Sequence, residues 1–273
     1  MNTMPTRMPA LFIGHGSPMN TLELNGYTQA WRDIAQRLPR PRAILAVSAH
    51  WFIGSTVVTA MARQRTIHDF YGFPQPLFDF DYPAPGAPDL AQEIAEIAKP
   101  TWVGLDRDQW GLDHGTWSVL AHLYPGADIP VVQLSINALQ PFDYHVDLGA
   151  RLSALRDSGV LILSSGNVVH NLRQIDWQHP DSGADWARRF DEAVATQMHN
   201  DASAILKVTE HPDYARAVPT PDHFIPLLYT AGLAVADPQV QTLIQGYTMG
   251  SLSMTSYAVG PLDEPLGTAA INT

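Results

Sequence analysis

AILAVSAHW, residues 43–51, is an apolar run that ends in two small residues, a histidine and a tryptophan. The run is too short for a helix that is buried on all sides, and it lacks the alternation of a half-exposed strand. It therefore predicts a strand over residues 43–49 in a sheet that is covered on both faces. Ligands of such sheets bind just beyond the carboxyl ends of the strands, which is where we expect His50.

The same pattern occurs twice more in the chain. ALFIG at residues 10–14 is followed by His15, and VLILSSGNVV at residues 160–169 is followed by His170. Strand-like and helix-like segments alternate along most of the chain, which is typical of an α/β fold. We predict a single-domain three-layer α/β/α sandwich with a mixed central sheet, preceded by a flexible arm at residues 1–8. The strand-end histidines suggest a metal site at the carboxyl edge of that sheet.

Composition limits the classes of partner and of metal site. The 273-residue chain has a net charge of −11 and no cysteine. An acidic chain without a cluster of Lys or Arg argues against nucleic acid or an anionic membrane surface as partner. The lack of cysteine excludes disulfides and thiolate metal sites, so a metal needs His, Asp or Glu ligands. We find no signal peptide and no apolar stretch near 18 residues, so we expect no membrane span and a cytoplasmic protein.

The least regular segment is IHDFYGFPQPLFDFDYPAPGAP, residues 67–88. It contains five prolines and six Phe or Tyr residues and has almost no helical or strand period. A long loop in a compact domain is usually functional, which favours a loop packed over the site. The equally weighted alternative is a rigid cover on the hydrophobic core.

Eleven histidines occur in the chain, and five of them differ from the rest in their surroundings. His15, His50 and His170 follow strand-like runs with small residues that leave room for a ligand. His114 lies in an aromatic segment, and His223 is treated below. For each of them the alternative is a structural role in a turn, a cap or the core. We expect structural roles for five others, His122, His145, His179, His199 and His211, and we leave His68 of the aromatic loop undecided.

His223 is predicted in the first turn of a helix that runs to about Thr230. Thr220 is a plausible N-cap, and Pro221 suits the first helical position. The positive end of the helix dipole disfavours imidazolium and lowers the pKa of His223. Neutral imidazole is the form that binds a metal.

Common catalytic motifs are absent from the sequence. There is no HExxH, no GxSxG, no GxxxxGK[ST] and no GxGxxG. The residues by themselves therefore predict a cysteine-free, histidine-rich, mononuclear metal site beside an aromatic pocket.

Five motifs in order resemble a known family. They are GHGSP at 14–18, SAHW at 48–51, DHG at 113–115, GNVVHNL at 166–172 and PTPDHF at 219–224. Together they resemble the class III extradiol ring-cleavage dioxygenases, specifically the DOPA 4,5-dioxygenase branch of the protocatechuate 4,5-dioxygenase β-subunit superfamily. The resemblance runs from Pro9 to about Tyr257, and it implies one extradiol-dioxygenase-like catalytic domain over residues 9–273.

The resemblance also implies roles for the five histidines. His15 and His50 match metal ligands, and His223 takes the third position, where the wider superfamily has a carboxylate. His170 matches a catalytic base, which in zinc-loaded members of the branch is a fourth ligand. His114 matches a second catalytic histidine that contacts substrate or dioxygen. Aromatic side chains are expected in the substrate-binding wall, each with plain core packing as the alternative: Trp51, His68, Phe70, Tyr71, Trp110 and Trp117.

The implied reaction inserts O2 into a DOPA-like or related catechol and opens the ring to a semialdehyde. Fe(II) is the metal expected for activity, and Zn²⁺ suits an imidazole site equally well. The expected partners are a small catechol and O2, for a monomer or small homo-oligomer. Two alternatives stay open: a zinc hydrolase, whose metal-bound water attacks an ester or amide, and a metal-binding protein without catalysis.

Overall fold

A mixed β-sheet forms the centre of the molecule in the computed structural model, which describes residues 7–262 and 269–270. Residues 1–6 of the predicted arm lie outside this range. Arg7 and Met8 are attached to the domain, because the Arg7 side chain donates to Ser153 and the Met8 amide donates to the Arg156 carbonyl at 3.0 Å.

Eleven strands occur in the described residues. They are β1 (Ala10–Gly14), β2 (Ala43–Ile53), β3 (Val57–Thr59), β4 (Gly104–Asp106), β5 (Val131–Asn137), β6 (Val160–Gly166), β7 (Val240–Gln245), β8 (Tyr247–Thr248), β9 (Leu252–Ser253), β10 (Ser256–Val259) and β11 (Ala269–Ala270). Nine of them form the sheet in the order β11-β7-β10-β1-β6-β2-β5-β3-β4, and β8 pairs with β9. Strands β1, β6, β2 and β5 are parallel neighbours, whereas β10 and β3 pair with this block in the antiparallel sense.

Helices cover both faces of the sheet. They are α1 (Gly26–Ala35), α2 (Gln75–Phe78), α3 (Pro88–Ile97), α4 (His114–Leu123), α5 (Phe142–Leu152), α6 (Asp185–Asp201), α7 (Tyr214–Ala217) and α8 (Ile225–Ala236). Short 3-10 segments lie at Pro18–Thr21, Ser153–Ser158, Leu172–Gln174 and Ala202–Glu210. None of the helices in the described ranges has the length and apolarity of a membrane span.

The central strands contribute to two separate hydrophobic clusters. In β2, Leu45 and Val47 belong to the cluster that includes α3, α5, α6 and α8. Ile44 and Ala46 belong to the cluster that includes α1 and α4. Because successive side chains of a strand point to opposite faces, a strand between two helix layers needs apolar residues at every position. The predicted three-layer α/β/α sandwich with a mixed sheet is confirmed.

Two predicted boundaries near the site are wrong. Strand β2 continues to Ile53, and its pairing with β5 is irregular between Val47 and Phe52, so His50 lies within the irregular part and not beyond the strand end. Apolar residues continue after His50, which lets the strand resume.

Helix α8 begins at Ile225 and not at Thr220. The amides of Phe224 and Ile225 both donate to the Pro221 carbonyl, which forms a turn ahead of the helix. Pro226, which lacks an N–H, occupies the first turn of α8 instead of Pro221. His223 therefore precedes the helix and does not lie in its first turn.

Candidate active site

Five histidines line one cavity of about 700 Å³ at the carboxyl edge of the central strands. They are His15, His50, His114, His170 and His223. A cavity of this size is within the range of small-molecule sites in proteins. The structure thus brings together all five histidines that the sequence selected.

His15 directly follows β1 and is almost fully buried. The Ser165 hydroxyl donates to the Gly115 carbonyl at 2.5 Å and lies 3.0 Å from Nδ1 of His15. Because the single hydrogen of that hydroxyl is used on Gly115, Ser165 must accept from His15. His15 therefore carries its proton on Nδ1, and its Nε2 lone pair is left for a ligand.

The turn after His15 requires glycine. Gly16 has φ +62°, and a Cβ atom there would lie 2.6 Å from the sulfur of Met254. Both the left-handed backbone and the close packing exclude a larger residue at this position. Asn20 completes the turn by donating to the His15 carbonyl at 3.0 Å.

His50 provides the observation that fits a metal ion. Its Nδ1 donates to the Asp69 carboxylate at 3.1 Å, so its Nε2 is also without a proton when the ring is neutral. The Nε2 atoms of His50 and His15 are 3.1 Å apart. Two lone pairs at this distance repel each other unless a metal ion, or a proton on one of the two nitrogens, lies between them. Two imidazole ligands of one tetrahedral metal, each about 2.0–2.1 Å from it, are about 3.4 Å apart, so the donor set fits a metal.

His114 is the first residue of α4, whose N-cap is Asp113. Its Nδ1 donates to the Asp69 carboxylate at 2.9 Å, and its ring centroid lies 3.8 Å from that of His50. Ligand nitrogens of His15, His50 and His114 all lie within 4.8 Å of one another. These three residues are therefore the tightest group of possible metal ligands among the described residues.

His223 and His170 form a stacked pair at the same cavity. Their ring centroids are 3.5 Å apart and their planes differ by 2°. The centroid of His223 lies 5.0 Å from that of His50 and 5.4 Å from that of His15. Nδ1 of His223 makes a short hydrogen bond to the Asp222 carboxylate, which leaves its Nε2 for the cavity.

Burial keeps most of these rings neutral. It lowers the pKa of His15 and His223 well below the ordinary value, lowers that of His114, and lowers the pKa of His170 to about 4. For His223 the sequence suggested the helix dipole as the cause, but the main cause is burial because α8 begins after it. Neutral imidazole is the form that binds a metal.

His50 is the exception among the five. Burial lowers its pKa, but the hydrogen bond to Asp69 and the nearby carboxylates raise it above the ordinary value. Burial also raises the pKa of the Asp69 carboxyl, yet the hydrogen bonds from His114 and His50 hold it well below its usual range. Asp69 is therefore a carboxylate at neutral pH.

Of the aromatic residues expected in the pocket wall, Phe70 lines the cavity, together with Phe73 of the same loop. The other expected residues are not among the described residues that line it. Trp51 is buried and stacks on Trp110, with centroids 5.7 Å apart and planes within 6°. Tyr71 is 92% exposed.

Trp117 and His68 stabilise the aromatic loop through hydrogen bonds to its backbone. The Trp117 indole donates to the Ile67 carbonyl at 3.0 Å, and the His68 ring donates to the Phe80 carbonyl at 2.9 Å. The loop therefore both covers the site through Phe70 and packs on the core, which combines the two interpretations that its sequence allowed.

Several residues of the site escaped sequence reasoning. The cavity wall includes apolar residues from segments that are distant in the chain, and its rim has two carboxylates, while no Lys or Arg is found among the described residues lining it. Wall residues outside the five motifs include Met19, Ile175, Trp177 and Met254, and the carboxylates are Glu23 and Asp181. Only the folded chain brings these segments together.

Buried polar partners surround the histidines of the site. Asp113 is fully buried and accepts hydrogen bonds from Ser48, Gln133 and the Thr116 amide, and burial raises its pKa. The sequence around Asp69 and Ser165 contains no signal that identifies them as hydrogen-bond partners of site histidines. Asp113 and Asp222, by contrast, stand directly before His114 and His223 in the sequence.

The comparisons with known proteins agree with this geometry. A family model described as the catalytic LigB subunit of aromatic ring-opening dioxygenase matches residues 9–260. The chain belongs to this family. Its members open aromatic rings, and the resemblance inferred from the five motifs is confirmed.

Curated relatives carry the same type of name. The 4,5-DOPA dioxygenase extradiol of Escherichia coli K12 is 48% identical over 93% of this chain and 96% of the relative. A protein of the same name from Beta vulgaris is 35% identical over 90% and 94%. A crystal structure of an uncharacterized protein, JW3007 of Escherichia coli K12, matches with a TM-score of 0.80 and 44% identity over 93% of this chain and all of that chain, 100%.

These matches identify the LigB-family chain as an extradiol ring-cleavage dioxygenase that acts on a small aromatic substrate with O2. The zinc hydrolase alternative is not favoured by them. The family and the three-histidine cluster support a bound metal.

Proposed function

We propose that this LigB-family enzyme cleaves a catechol with a DOPA-like side chain and uses Fe(II) held by His15, His50 and His223. The observation that carries the proposal is the pair of Nε2 atoms 3.1 Å apart in His15 and His50, both turned to one cavity. Imidazole ligands suit iron as well as zinc. When bound, Fe(II) supplies the Lewis acidity and redox chemistry that join a catechol and O2.

Two histidines compete for the third ligand position. His114 has a nitrogen within 4.8 Å of those of His15 and His50, whereas His223 stands in the motif PTPDHF that the family resemblance associates with a ligand. We assign the metal to His223. His114, whose ring packs edge-on against Phe70 at 5.6 Å between centroids, is then left to contact substrate or dioxygen.

His170 is proposed as the base that takes a phenolic proton from the substrate. A general base must be unprotonated at working pH, and burial lowers the pKa of His170 to about 4. Its ring stacks on His223, which holds it beside the proposed metal site. In a zinc-loaded protein the same ring nitrogen is available as a fourth ligand.

The size and the lining of the cavity support a substituted catechol. A volume of about 700 Å³ exceeds what a bare catechol ring needs, and Phe70 and Phe73 offer aromatic surface for the ring. The curated relatives from Escherichia coli and Beta vulgaris carry the name 4,5-DOPA dioxygenase extradiol. We therefore propose DOPA or a close analogue as the substrate.

The test is oxygen consumption by metal-free protein that is reloaded anaerobically with Fe(II) and given DOPA, caffeate or protocatechuate. We expect oxygen uptake and a yellow ring-fission product with iron and none with a zinc-loaded control. His15→Ala, His50→Ala and His223→Ala should fail to retain metal. His114→Ala should retain it and lose turnover by about 10²–10⁴-fold.

Two outcomes contradict the proposal. If iron-loaded protein takes up no oxygen with any catechol, the proposed substrate class is wrong. If His223→Ala keeps stoichiometric metal while His114→Ala loses it, the third ligand is His114.

A further inference from the structure

Within the described part of the chain, Asp69 accepts three hydrogen bonds, all of them from histidine residues of the site. Its Oδ2 accepts from Nδ1 of His50 at 3.1 Å and from Nδ1 of His114 at 2.9 Å. Its Oδ1 accepts from the backbone amide of His114 at 3.0 Å. The carboxylate is mostly buried, with 14% of its side chain exposed. One side chain thus contacts both a proposed metal ligand and a proposed catalytic histidine.

The position of Asp69 is fixed by the two residues that precede it. The Ile67 amide donates to the Leu112 carbonyl at 2.7 Å, and the Ile67 carbonyl accepts from Trp117. His68 is attached to the Phe80 carbonyl. The loop is therefore anchored to the start of α4, and Asp69 moves together with His114.

We propose that Asp69 is a positioning residue that fixes the tautomers of His50 and His114 as a pair. Since both rings donate through Nδ1 to one oxygen atom, both present Nε2 without a proton to the cavity when they are neutral, the form that binds a metal. Neither ring can change its tautomer or rotate without breaking its hydrogen bond to Oδ2 of Asp69, the oxygen atom that also binds the other ring. This inference rests on the proposed function only in taking His50 as a ligand of the metal.

An amide cannot replace this carboxylate. If the oxygen of an asparagine side chain takes the place of Oδ2, its NH2 group faces the His114 amide, and two donors oppose each other. If the oxygen takes the place of Oδ1, the NH2 group faces both Nδ1 atoms, and both rings must move their protons to Nε2. In the first arrangement a buried donor is left unpaired, and in the second His50 loses the lone pair that binds metal.

Asp222 offers a matched comparison. Its carboxylate accepts from Nδ1 of His223. An asparagine at position 222 can turn its oxygen toward that ring and keep the His223 tautomer. Asp69→Asn and Asp222→Asn each remove one negative charge beside the site. The difference between their losses of metal affinity therefore reports the effect of the acceptor that His50 and His114 share.

The experiment measures zinc affinity by competition with a chelator, and histidine tautomers by ¹⁵N–¹H correlation in zinc-loaded, ¹⁵N-histidine-labelled protein. We expect Asp69→Asn to weaken zinc binding about 10–100-fold and to give at least one new Nε2–H ring signal. Asp222→Asn should weaken it by less than about 10-fold and keep the His223 tautomer. Oxygen uptake by the iron-loaded proteins is measured in parallel.

The proposal is overturned if Asp69→Asn binds zinc like the wild type, or if Asp222→Asn loses as much affinity as Asp69→Asn. If Asp69→Asn fails to fold, the wild-type spectrum still decides: His50 and His114 must both carry Nδ1–H, with the His114 signal identified by its loss in His114→Ala. Zinc affinity and tautomers do not depend on turnover. If the wild type shows no oxygen uptake but the zinc affinities and histidine tautomers are as expected, the proposed function is contradicted and this inference is supported.

Discussion

At the scale of single residues, four histidines of the cavity each donate a hydrogen bond from Nδ1 to a neighbouring side chain. Ser165 accepts from His15, Asp69 from His50 and His114, and Asp222 from His223. These partners set which nitrogen is left for a ligand, and such second-layer contacts raise metal affinity. Of the three partners, Ser165 is the uncharged one.

Ser165→Ala should therefore weaken metal binding without changing any charge. The His15 ring loses the acceptor that holds its proton on Nδ1, and we expect zinc affinity to fall about 10–100-fold in a chelator competition. Ser164→Ala is the matched control, because the neighbouring Ser164 hydroxyl is buried without a hydrogen-bond partner among the described residues. Equal affinities of the two variants would refute the role of Ser165.

At the residue scale, the sequence predicted which histidines lie at the cavity where apolar runs and small residues precede them. His15, His50 and His170 follow apolar runs and small residues, and all three line the cavity. The sequence did not identify Asp69 or Ser165, because a carboxylate or hydroxyl becomes a hydrogen-bond partner of an imidazole ring only through tertiary contact. Trp51 and Trp117 are aromatic residues near the motifs, yet their rings pack beneath the site.

At the scale of secondary-structure elements, α5 and α8 pack against each other through glycine. A Cβ atom at Gly149 of α5 would lie 2.3 Å from the Tyr229 carbonyl oxygen of α8. A Cβ atom at Gly232 of α8 would lie 2.0 Å from the Val146 carbonyl oxygen of α5. Each helix thus has a glycine where the backbone of the other one passes.

Gly149→Ala and Gly232→Ala should each destabilise the protein by about 1–3 kcal/mol in urea unfolding. In an ordinary helix interior the same change stabilises by about 1 kcal/mol, so the expected sign is opposite to helix propensity. Gly126→Ala is the control, because its Cβ atom would meet nothing nearer than 3.5 Å. A stabilised Gly149→Ala variant would show that the two helices separate at little cost.

The start of β6 was predictable, because the apolar run that the sequence shows begins at Val160, as the strand does. The end of β2 and the start of α8 were not predictable. An irregular pairing keeps β2 going past His50, and the choice between Pro221 and Pro226 for the first turn of α8 depends on tertiary packing. Both deviations lie at the site. Each of them places a histidine, His50 or His223, on irregular backbone.

At the scale of the whole molecule, buried neutral histidines make stability depend on pH. His145 is fully buried between α5 and α8, away from the site, and burial lowers its pKa from 6.5 to about 4. Between these pH values the unfolded chain binds a proton that the folded chain does not bind. The free energy of unfolding therefore falls as pH falls from 6.5 toward 4.

We expect His145 to account for about 2 kcal/mol of the stability lost between pH 7 and pH 5. In urea unfolding at the two pH values, His145→Gln should show a difference smaller than that of the wild type by this amount. His145→Gln should be less stable at pH 7, because glutamine does not fill the space of the native imidazole ring. The comparison concerns only how the free energy of unfolding changes with pH. An unchanged difference would mean that His145 is protonated in the folded protein.

The place of β1 in the sheet has a consequence for how the enzyme is made. Ala10 pairs with Ile162 of β6 on one side and with Val259 of β10 on the other, so one of the first strands to leave the ribosome is completed by one of the last. His15, at the end of β1, waits for Ser165 and His223 until most of the chain has been synthesised. A metal held by His15, His50 and His223, as proposed, would therefore be taken up only after most of the chain has been synthesised.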